Sequence, residues 1–557
     1  MNLASHYATS LRAAERGADS ILRNQQLDPS KRDYGGSAPP GQGYVEPCHS
    51  AEAAAGLLTV YLNPESCHAG SGRVLESARL YLEHLLREQH SDGTIDLRCT
   101  NYHCSSTIAF TIHNFGYVWR LLEQRVDLNP AEAEVRRLAR QYIEAGAEGM
   151  LNGGFHTPNH RWVLVSALAL LYRILGDDRL RLEAEAYLSE GVDCDEFGEY
   201  TERSVGVYNI AVNRSLLIAA EELERPDLLD SVAANLDSVQ RYWEPDDTLY
   251  TYSSRRQDYG TETLPLSYYD NYLLAGLRLE NPEYLHLAGR IHDLALDRGR
   301  PINALLLFMA RPELRHQTLE TRPPSFACHQ FNTRAGLVRR REGDRSLSLL
   351  AGNAHFLKYQ AGANSVYVRC ATAFFGDRGR FVADRIEALD DGYRLHYTCD
   401  WGYKRPLEAK PDSPLWEDLD HGGRANAQMQ HLDLTCDVTW DEGDAVLDLR
   451  ADGPRDLLLK LDFIYKPGGV LDAGGVEVPG LADGYALHKS SSATYTLGRD
   501  RITVSDGMAE HAYARDMRGS EAPDPGTFTV YMTGYAPLAR QIRIAGAGGP
   551  CPDAPRT

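Results

Sequence analysis

Two short motifs, each at the predicted start of a helix, carry side chains that can do acid–base chemistry. The first spans residues 153–162 and contains Asn159 and His160, and the second spans residues 198–208 and ends at Tyr208. In the first motif, a threonine at the N-cap and a proline at the first helical position place both polar side chains in the first turn. We therefore predict that an amide, an imidazole and a phenol converge at helix N-termini, which attract negative charge.

This trio suits the removal of a proton next to a carboxylate. The C5 proton of a uronic acid is barely acidic while the carboxylate keeps its charge, so elimination needs donors that stabilise the developing dianion. Asn159 and a protonated His160 can supply those donors. Tyr208 can take the proton and return one to the leaving O4. Because the reference pKa of a phenol is about 10, this role requires positive charge nearby.

Other polar residues precede helices that should run parallel to these two, so they are expected on the same face. The residues predicted to contact a substrate are Asn101, His103, Arg161, Glu202, Arg203, Tyr252, Arg255, Arg256 and His355. Arginine suits bidentate binding of a carboxylate, which favours the 255–256 pair. His355 lies in the second half of the chain and would have to reach over the cleft.

Metal and cofactor chemistry are not required by these residues. No catalytic metal ligands are predicted, and no cofactor is needed for the elimination. The ten cysteines lack close C-x₂-C spacing, so buried thiols are favoured over a zinc site. Histidine and aspartate residues in the second half leave open a structural metal ion there.

The first half of the chain has the pattern of helical hairpins. Apolar residues recur at helical spacing in eleven runs, at 8–24, 50–62, 73–90, 105–123, 131–146, 159–175, 178–190, 205–222, 226–241, 265–279 and 282–296. Long connections precede every second run and mostly short ones follow it. Since helices joined by a few residues lie antiparallel, the long loops gather on one face. This pattern predicts an (α/α) toroid whose loop face carries the function.

The second half changes to the period of two that is typical of strands. Strands are predicted at 345–350, 365–369, 393–398, 445–449, 456–461, 493–497, 501–504 and 527–531. Many short strands without helices between them predict an antiparallel β-sandwich. The predicted domains are a toroid at 1–310, a linker at 311–324, an antiparallel sheet domain at 325–545 and a disordered Gly/Pro-rich tail at 546–557.

The formal net charge of −20 limits the kinds of partner that the protein is expected to bind. It argues against nucleic acid and against an anionic membrane surface, and no apolar run approaches the roughly 20 residues of a membrane span. The first residues lack a secretory signal, so we expect a cytoplasmic protein, or a secreted or periplasmic one if a signal was trimmed. A long polyanion would be repelled at a distance, which favours short acidic oligosaccharides or chain ends.

Part of this pattern is shared with a known family. The residues that carry the likeness are Asn159, His160, Asp195, Gly198, Glu202, Ser204 and Tyr208. In them the chain resembles the heparinase II/III-like and alginate-lyase group of polysaccharide lyases. The resemblance implies a toroid joined to an antiparallel sheet domain. It also implies that the Asn-His pair neutralises the uronate carboxylate of an acidic polysaccharide or oligosaccharide and that the tyrosine acts as base, acid or both.

Two other interpretations remain open. A glycoside hydrolase on the same toroid would use paired carboxylates, and the acids available are Asp193, Asp195, Glu196, Glu199 and Glu202. These acids cluster in one loop, and no clear partner occurs on an opposing loop. A non-catalytic glycan-binding protein would use the same aromatic and basic loops without turning over a substrate.

Overall fold

The computed structural model describes residues 1–39 and 41–547, and the chain divides into two compact units. The first unit comprises Met1–Gln240 and Leu249–Ser325 and is mainly helical. The second comprises Arg241–Thr248 and the chain from Phe326 onward and is mainly sheet.

Twelve α-helices, labelled α1 to α12 in chain order, occur in the described residues. They are Leu3–Asn24, Pro47–Leu62, Gly72–Glu88, Ser105–Glu123, Pro130–Asn152, Pro158–Leu175, Asp178–Leu188, Tyr208–Glu222, Leu228–Tyr242, Tyr269–Arg278, Pro282–Asp297 and Leu305–Ala310. Each of the eleven predicted runs overlaps one of the first eleven helices. The short α12 was not predicted, because its sequence is apolar all round and has no helical periodicity.

The even-numbered helices form an inner layer. Helix α2 packs on α4, α4 on α6, α6 on α8 and α8 on α10, while α3, α5, α7 and α11 each pack against the even helix beside them. Helix α6 illustrates the cause, since every residue from Trp162 to Leu171 is buried. Burying each large aliphatic side chain contributes about 1.5–3 kcal/mol, so this layer is a major part of the core.

The series of hairpins closes on itself at a histidine pair. The ring of His6, in α1, stacks on that of His292, in α11, with the centroids 3.7 Å apart. Nδ1 of His6 lies 2.8 Å from the hydroxyl of Tyr269, at the start of α10, and Nε2 of His292 lies 2.8 Å from Oγ1 of Thr9. The first helix therefore packs against the last hairpin, as the predicted toroid requires.

The segment predicted as a linker, 311–324, belongs to the helical unit. The backbone N–H of Leu3 donates to the carbonyl of Gln317 at 3.0 Å, and that of Leu319 donates to the carbonyl of Met1 at 2.9 Å. The chain's first residues thus hold the segment that follows the last hairpin.

Residues 241–248 belong to the sheet unit, although the prediction placed them in the toroid. Glu244 is fully buried and lies 3.0 Å from a guanidinium nitrogen of Arg339 and 3.1 Å from Nζ of Lys358. Burial alone would raise the pKa of Glu244, but the two cations hold it well below its usual range. Partners about a hundred residues away have no local sequence pattern, so this segment could not be assigned from periodicity.

The strands, labelled β1 to β19, follow in two sheets and one short hairpin. They are Ile95–Leu97, Asn101–Cys104, Cys328–Asn332, Leu337–Glu342, Arg345–Leu350, Leu357–Ala361, Asn364–Thr372, Arg385–Leu389, Gly392–Lys404, Asn426–Asp441, Asp444–Asp452, Leu457–Tyr465, Val470–Ala473, Glu477–Pro479, Tyr485–Leu487, Ser492–Leu497, Asp500–Ser505, Phe528–Ala536 and Leu538–Ala547. The nine-stranded sheet has the order β14-β13-β16-β17-β19-β11-β10-β9-β8, and the eight-stranded sheet has the order β15-β18-β12-β7-β6-β5-β4-β3.

Side chains from both sheets form one core. Leu349, Val366 and Phe463 come from the eight-stranded sheet, and Leu434 and Leu447 come from the nine-stranded sheet. All predicted strands are present, but the sheets are not wholly antiparallel, because β15 pairs with β18 in parallel.

The predicted tail begins inside a strand. Residues 546 and 547 end β19, and Ala547 pairs with Arg501. The rest of the predicted tail, 548–557, lies outside the described residues. None of the helices in the part of the chain that the structure describes is long and apolar enough to span a membrane.

Because of the histidine pair, we expect the packing of the first helix against the last hairpin to weaken in acid. Burial, and then the nearby His292, lower the pKa of His6 to about 3. Below about pH 6.5 the unfolded chain binds a proton that the folded chain rejects, so stability should fall by up to about 1.4 kcal/mol per pH unit. We expect His6→Gln to flatten the dependence of Tm on pH between 7.5 and 5. The exposed His316→Gln serves as the control, and an unchanged slope in His6→Gln would contradict the assignment.

Candidate functional site

The two predicted motifs lie at the N-termini of α6 and α8. Thr157 occupies the N-cap of α6 and Pro158 its first position, so Asn159 and His160 fall in the first turn. The side chain of Thr157 makes no capping hydrogen bond. Helix α8 begins at Tyr208, three residues later than predicted, so the phenol stands on its first residue.

The loop before α8 is fixed by glycine and by an amide. Gly198 has φ +79°, and a Cβ there would lie 2.2 Å from the carbonyl oxygen of Ala234. Its own carbonyl accepts a hydrogen bond from Nδ2 of Asn235 at 2.8 Å. Only glycine suits this position, because the conformation is left-handed and the backbone of α9 leaves no room for a side chain.

A buried carboxylate joins the two motifs. Nδ2 of Asn159 donates to Oε2 of Glu202 at 2.8 Å, and Oε1 of Glu202 lies 3.3 Å from Nε of Arg256. The guanidinium of Arg256 in turn stands over the ring of Tyr208, 4.9 Å from its centroid. The structure therefore brings four of the predicted site residues together in one continuous set of contacts.

This set is poorly solvated. Asn159 is 1% exposed and Glu202 is 6% exposed. Among the described residues, Oδ1 of Asn159 has no hydrogen-bond partner. Burial raises the pKa of Glu202, although the hydrogen bond from Asn159 and the charge of Arg256 act in the opposite direction. Polar atoms left unpaired at low dielectric are costly unless a ligand or water completes them.

His160 differs from the prediction in its charge. Burial, then the neighbouring His156 and Arg256, lower its pKa to about 4. Its ring meets those of Phe110 and His156 edge to face, with centroids 5.7 and 4.9 Å away. At neutral pH the side chain is therefore an imidazole, not the predicted imidazolium, and it can offer an N–H but no positive charge.

Asp258 is a site-shaping residue that the sequence analysis missed. Its carboxylate accepts hydrogen bonds from the hydroxyls of Ser204 and Ser254 and from the N–H of Gly206. Ser204 Oγ also accepts the N–H of Tyr208 at 3.1 Å. The acid thus ties the loop before α8 to the loop that carries Arg256. No local motif points to it, because Ser204 and Gly206, the partners that join the two loops, are about 50 residues away.

Three predicted substrate contacts already have partners within the helical unit. Arg161 pairs with Glu190 at 2.8 Å and with Asp193 at 3.2 Å, which gives it a structural role. His103 is exposed and lies 2.6 Å from Asp92, while Asn101, two residues earlier, begins β2. These contacts do not join the Asn159–Tyr208 set.

The remaining predicted residues of the helical unit surround that set without completing it. The backbone N–H of Arg255 donates to the carbonyl of Glu202 at 3.0 Å, and its side chain is exposed. Arg203 is half-buried and has φ +49°, an unusual conformation for a residue other than glycine. Tyr252 packs among other tyrosines, with the ring centroid of Tyr259 5.4 Å away.

His355 lies in the sheet unit, where Nε2 is 2.7 Å from Oδ2 of Asp524. Asp524 also accepts from Arg369 at 3.0 Å. His396 pairs with Asp433 at 2.8 Å. No group of three or more candidate metal ligands occurs within residues 1–39 and 41–547.

Comparison with solved structures shows the fold. The heparan sulfate lyase HepC of Pedobacter heparinus matches 96% of this chain over 83% of its own, with 12% identity and a TM-score of 0.50. A heparinase III covers 97% of this chain with 85% of its own length, at 9% identity and a TM-score of 0.55. A third match is the chondroitin AC lyase of Streptomyces coelicolor in complex with chondroitin sulphate. It covers 97% of this chain with 79% of its own length, at 11% identity and a TM-score of 0.55.

The chain therefore has the fold of these polysaccharide lyases, a helical N-terminal part followed by a sheet-rich part. Sequence comparison adds nothing to this, since no family model and no curated protein matches the chain.

Because Asp258 joins the loop before α8 to the loop that carries Arg256, removing its carboxylate should disorder both loops. Asp258→Ala should leave two hydroxyls and one N–H without their acceptor, at a cost of about 3 kcal/mol. We expect a lower Tm and faster proteolysis within residues 250–263. Asp258→Asn, which keeps one acceptor oxygen, should lose less. Equal Tm values for Asp258→Ala and the unmodified protein would show that these contacts do not order the loops.

Proposed function

We propose that this chain cleaves a uronic-acid-containing glycan by β-elimination, with Tyr208 as the base and acid. The observation that carries the proposal is the series of contacts Asn159–Glu202–Arg256–Tyr208. It puts a guanidinium over the face of a phenol at a helix N-terminus. A fold shared with polysaccharide lyases supports the same reaction class.

In the chemical step Tyr208 acts twice, and Asn159 and His160 stabilise the charge that develops. The phenol oxygen of Tyr208 takes the C5 proton, and Arg256 and the helix N-terminus place positive charge beside it. As the substrate carboxylate becomes a dianion, the second N–H of Asn159 and an N–H of neutral His160 donate to it. The C4–O4 bond then breaks, a C4=C5 double bond forms, and Tyr208 returns the proton to O4. No water is consumed.

Glu202 is a positioning residue in this scheme. By accepting one N–H of Asn159 it fixes the amide plane and directs the other N–H outward. Its charge also holds Arg256 close to Tyr208. Both effects place donors before the reaction begins, which is how preorganised groups lower a barrier.

The substrate class follows from charge. The solved Streptomyces enzyme contains chondroitin sulphate, and we propose an acidic oligosaccharide or polysaccharide for this chain as well. With a net charge of −20, the protein repels a long polyanion at distance, although screening within about 8–10 Å limits this effect at physiological salt. Short chains or chain ends are therefore favoured.

A hydrolase remains the rival, but the acids of the loop before α8 are engaged. Asp193 accepts the indole N–H of Trp162 at 2.7 Å and pairs with Arg161, and Glu199 accepts the hydroxyl of Ser238. Glu202 has the raised pKa that a general acid needs. A second carboxylate on an opposing loop would still be required. If the protein bound glycans but formed no product from any member of a wide glycan panel, a non-catalytic glycan-binding protein would instead be favoured.

The reaction class can be tested with oligosaccharides containing glucuronate, iduronate or mannuronate. Elimination should produce a 4,5-unsaturated uronate, whose conjugated carboxylate absorbs in the ultraviolet, together with one new reducing end per double bond. Mass spectrometry should show no added water. New reducing ends without the ultraviolet signal would replace the lyase by a hydrolase.

Tyr208→Phe separates the same two mechanisms within the protein. A lyase that uses the phenol should lose at least about 10²–10⁴-fold in kcat, whereas a carboxylate hydrolase should keep most of its rate. Tyr172→Phe, at the far end of α6, is the matched control. Near-normal turnover by a folded Tyr208→Phe protein would remove Tyr208 from the mechanism.

The carboxylate donors should act in the transition state. Asn159→Ala and His160→Ala should each lower kcat by roughly 10²–10³-fold with a smaller change in KM. Arg256→Gln should also lower kcat, because it removes the charge over Tyr208, while Arg255→Gln should mainly raise KM. Circular dichroism and Tm establish folding in parallel. A normal kcat in folded Asn159→Ala would contradict the carboxylate clamp.

A further inference from the structure

Strands β9 and β10 extend beyond the sheet to which they belong. Strand β8 pairs with β9 only along residues 392–396, and β11 pairs with β10 only along residues 433–441. Within residues 1–39 and 41–547, the strand ends at 397–404 and 426–431 therefore pair only with each other. Most side chains of this two-stranded ribbon are exposed. A ribbon of two strands is marginally stable in water, so a further strand beside it would stabilise it.

The free edge of β9 presents backbone hydrogen-bonding groups. On the side of β8, the carbonyl of His396 accepts the N–H of Asp384 at 3.0 Å, and on the side of β10 the N–H of Arg405 donates to Ala425 at 2.8 Å. Because successive residues of a strand direct these groups to opposite sides, those of the even-numbered residues from 398 to 404 point away from β10. No described residue pairs with them there. Such an edge is a template for another strand.

The side chains along this edge are complementary to themselves. Asp400 and Lys404 are exposed and lie two positions before and after Gly402, while Trp401 and Tyr403 flank it and are 38% and 59% exposed. Two copies of β9 can pair antiparallel about a twofold axis through the glycine. Asp400 then stands opposite Lys404 of the second copy, and Trp401 stands opposite its Tyr403. Opposite charges and aromatic rings are favourable cross-strand pairs, and the symmetry forms each pair twice.

Other positions of the axis lose this match. An axis one residue to either side leaves Asp400 and Lys404 without an opposite charge across the pair, and an axis through Asp400 opposes two aspartates. An axis between two residues sets outward-pointing backbone groups against residues that point the other way. A lysine on an edge strand commonly blocks pairing, but in the register centred on Gly402 each lysine meets an aspartate.

We propose that two copies of this chain associate through residues 397–404 of β9. The two ribbons then form a four-stranded sheet in the order β10-β9-β9-β10, with the ion pairs on one face and the aromatic pairs on the other, because side chains alternate. Contacts within each chain already hold two of these side chains. Asp400 lies 2.8 Å from Nδ1 of His431, and the guanidinium of Arg378 lies 4.2 Å from the ring centroid of Trp401. The proposal does not rest on the elimination chemistry.

Reversing one charge should separate the two copies. In analytical ultracentrifugation the unmodified chain should have twice the 62.0 kDa of one copy. Asp400→Lys and Lys404→Asp each set like charges opposite one another twice, which should raise the dissociation constant of the dimer at least about tenfold. Asp391→Lys makes the same change of charge at an exposed position in the turn before β9 and should leave the dimer intact.

Combining the two reversals should restore the dimer, because opposite charges then face each other again. Within one chain the two positions are four residues apart, about 13 Å along a strand, which is too far for an ion pair. Rescue by the double variant therefore reports contact between copies. Mixing the Asp400→Lys chain with the Lys404→Asp chain should likewise give a dimer that contains one of each.

The aromatic pairs are tested separately. Trp401→Ala and Tyr403→Ala should each weaken the dimer roughly tenfold, whereas Tyr485→Ala, at a 54% exposed tyrosine on β15, should not. Circular dichroism and Tm establish folding of every variant. An unmodified chain that stays monomeric would overturn the proposal and leave this edge to a strand of another protein. A dimer that withstands both single charge reversals, or a folded double variant that stays monomeric, would also overturn it.

Discussion

The buried carboxylate of Glu202 determines how the loop face is arranged, because it accepts a hydrogen bond from Asn159 and pairs with Arg256. A carboxylate that is 6% exposed cannot be left without partners. The first turn of α6, the loop before α8 and the loop after α9 must therefore stay close together. Arg256 can hold its charge over Tyr208 only while Glu202 offsets the cost of burying that charge. Stability and chemistry depend here on the same ion pair.

The neutral state of His160 follows from the same burial. Burial is the largest cause of the lowered pKa of His160, followed by the neighbouring His156 and then Arg256. Within the Asn159–Tyr208 set the positive charge lies on the guanidinium of Arg256. This arrangement supplies a local attractive field in a protein whose overall charge is −20, because short-range contacts outweigh distant, screened charges.

Local patterns predicted the elements well and their partners poorly. The eleven helical runs and the eight strands were found because their apolar residues repeat at 3.6 or 2, as in β10, where Leu432, Leu434, Cys436 and Val438 are all buried. Thr157 and Pro158 marked the start of α6 correctly for the same local reason. Asp258, Glu244 and the 311–324 segment were missed or misassigned. Their roles depend on partners about 50 to 300 residues away, which no sequence window contains.

The inner helices of the helical unit have an apolar packed surface and a polar surface that lines a cavity. Only the first could be predicted from the sequence. The inner helices bury small and aliphatic residues against one another, and this layer was visible in the sequence. The same helices also line a cavity with Arg214, Asp270 and Asn114, where Arg214 donates to Oδ1 of Asn114 on a different helix. In a sequence these positions look like ordinary polar breaks in an apolar face.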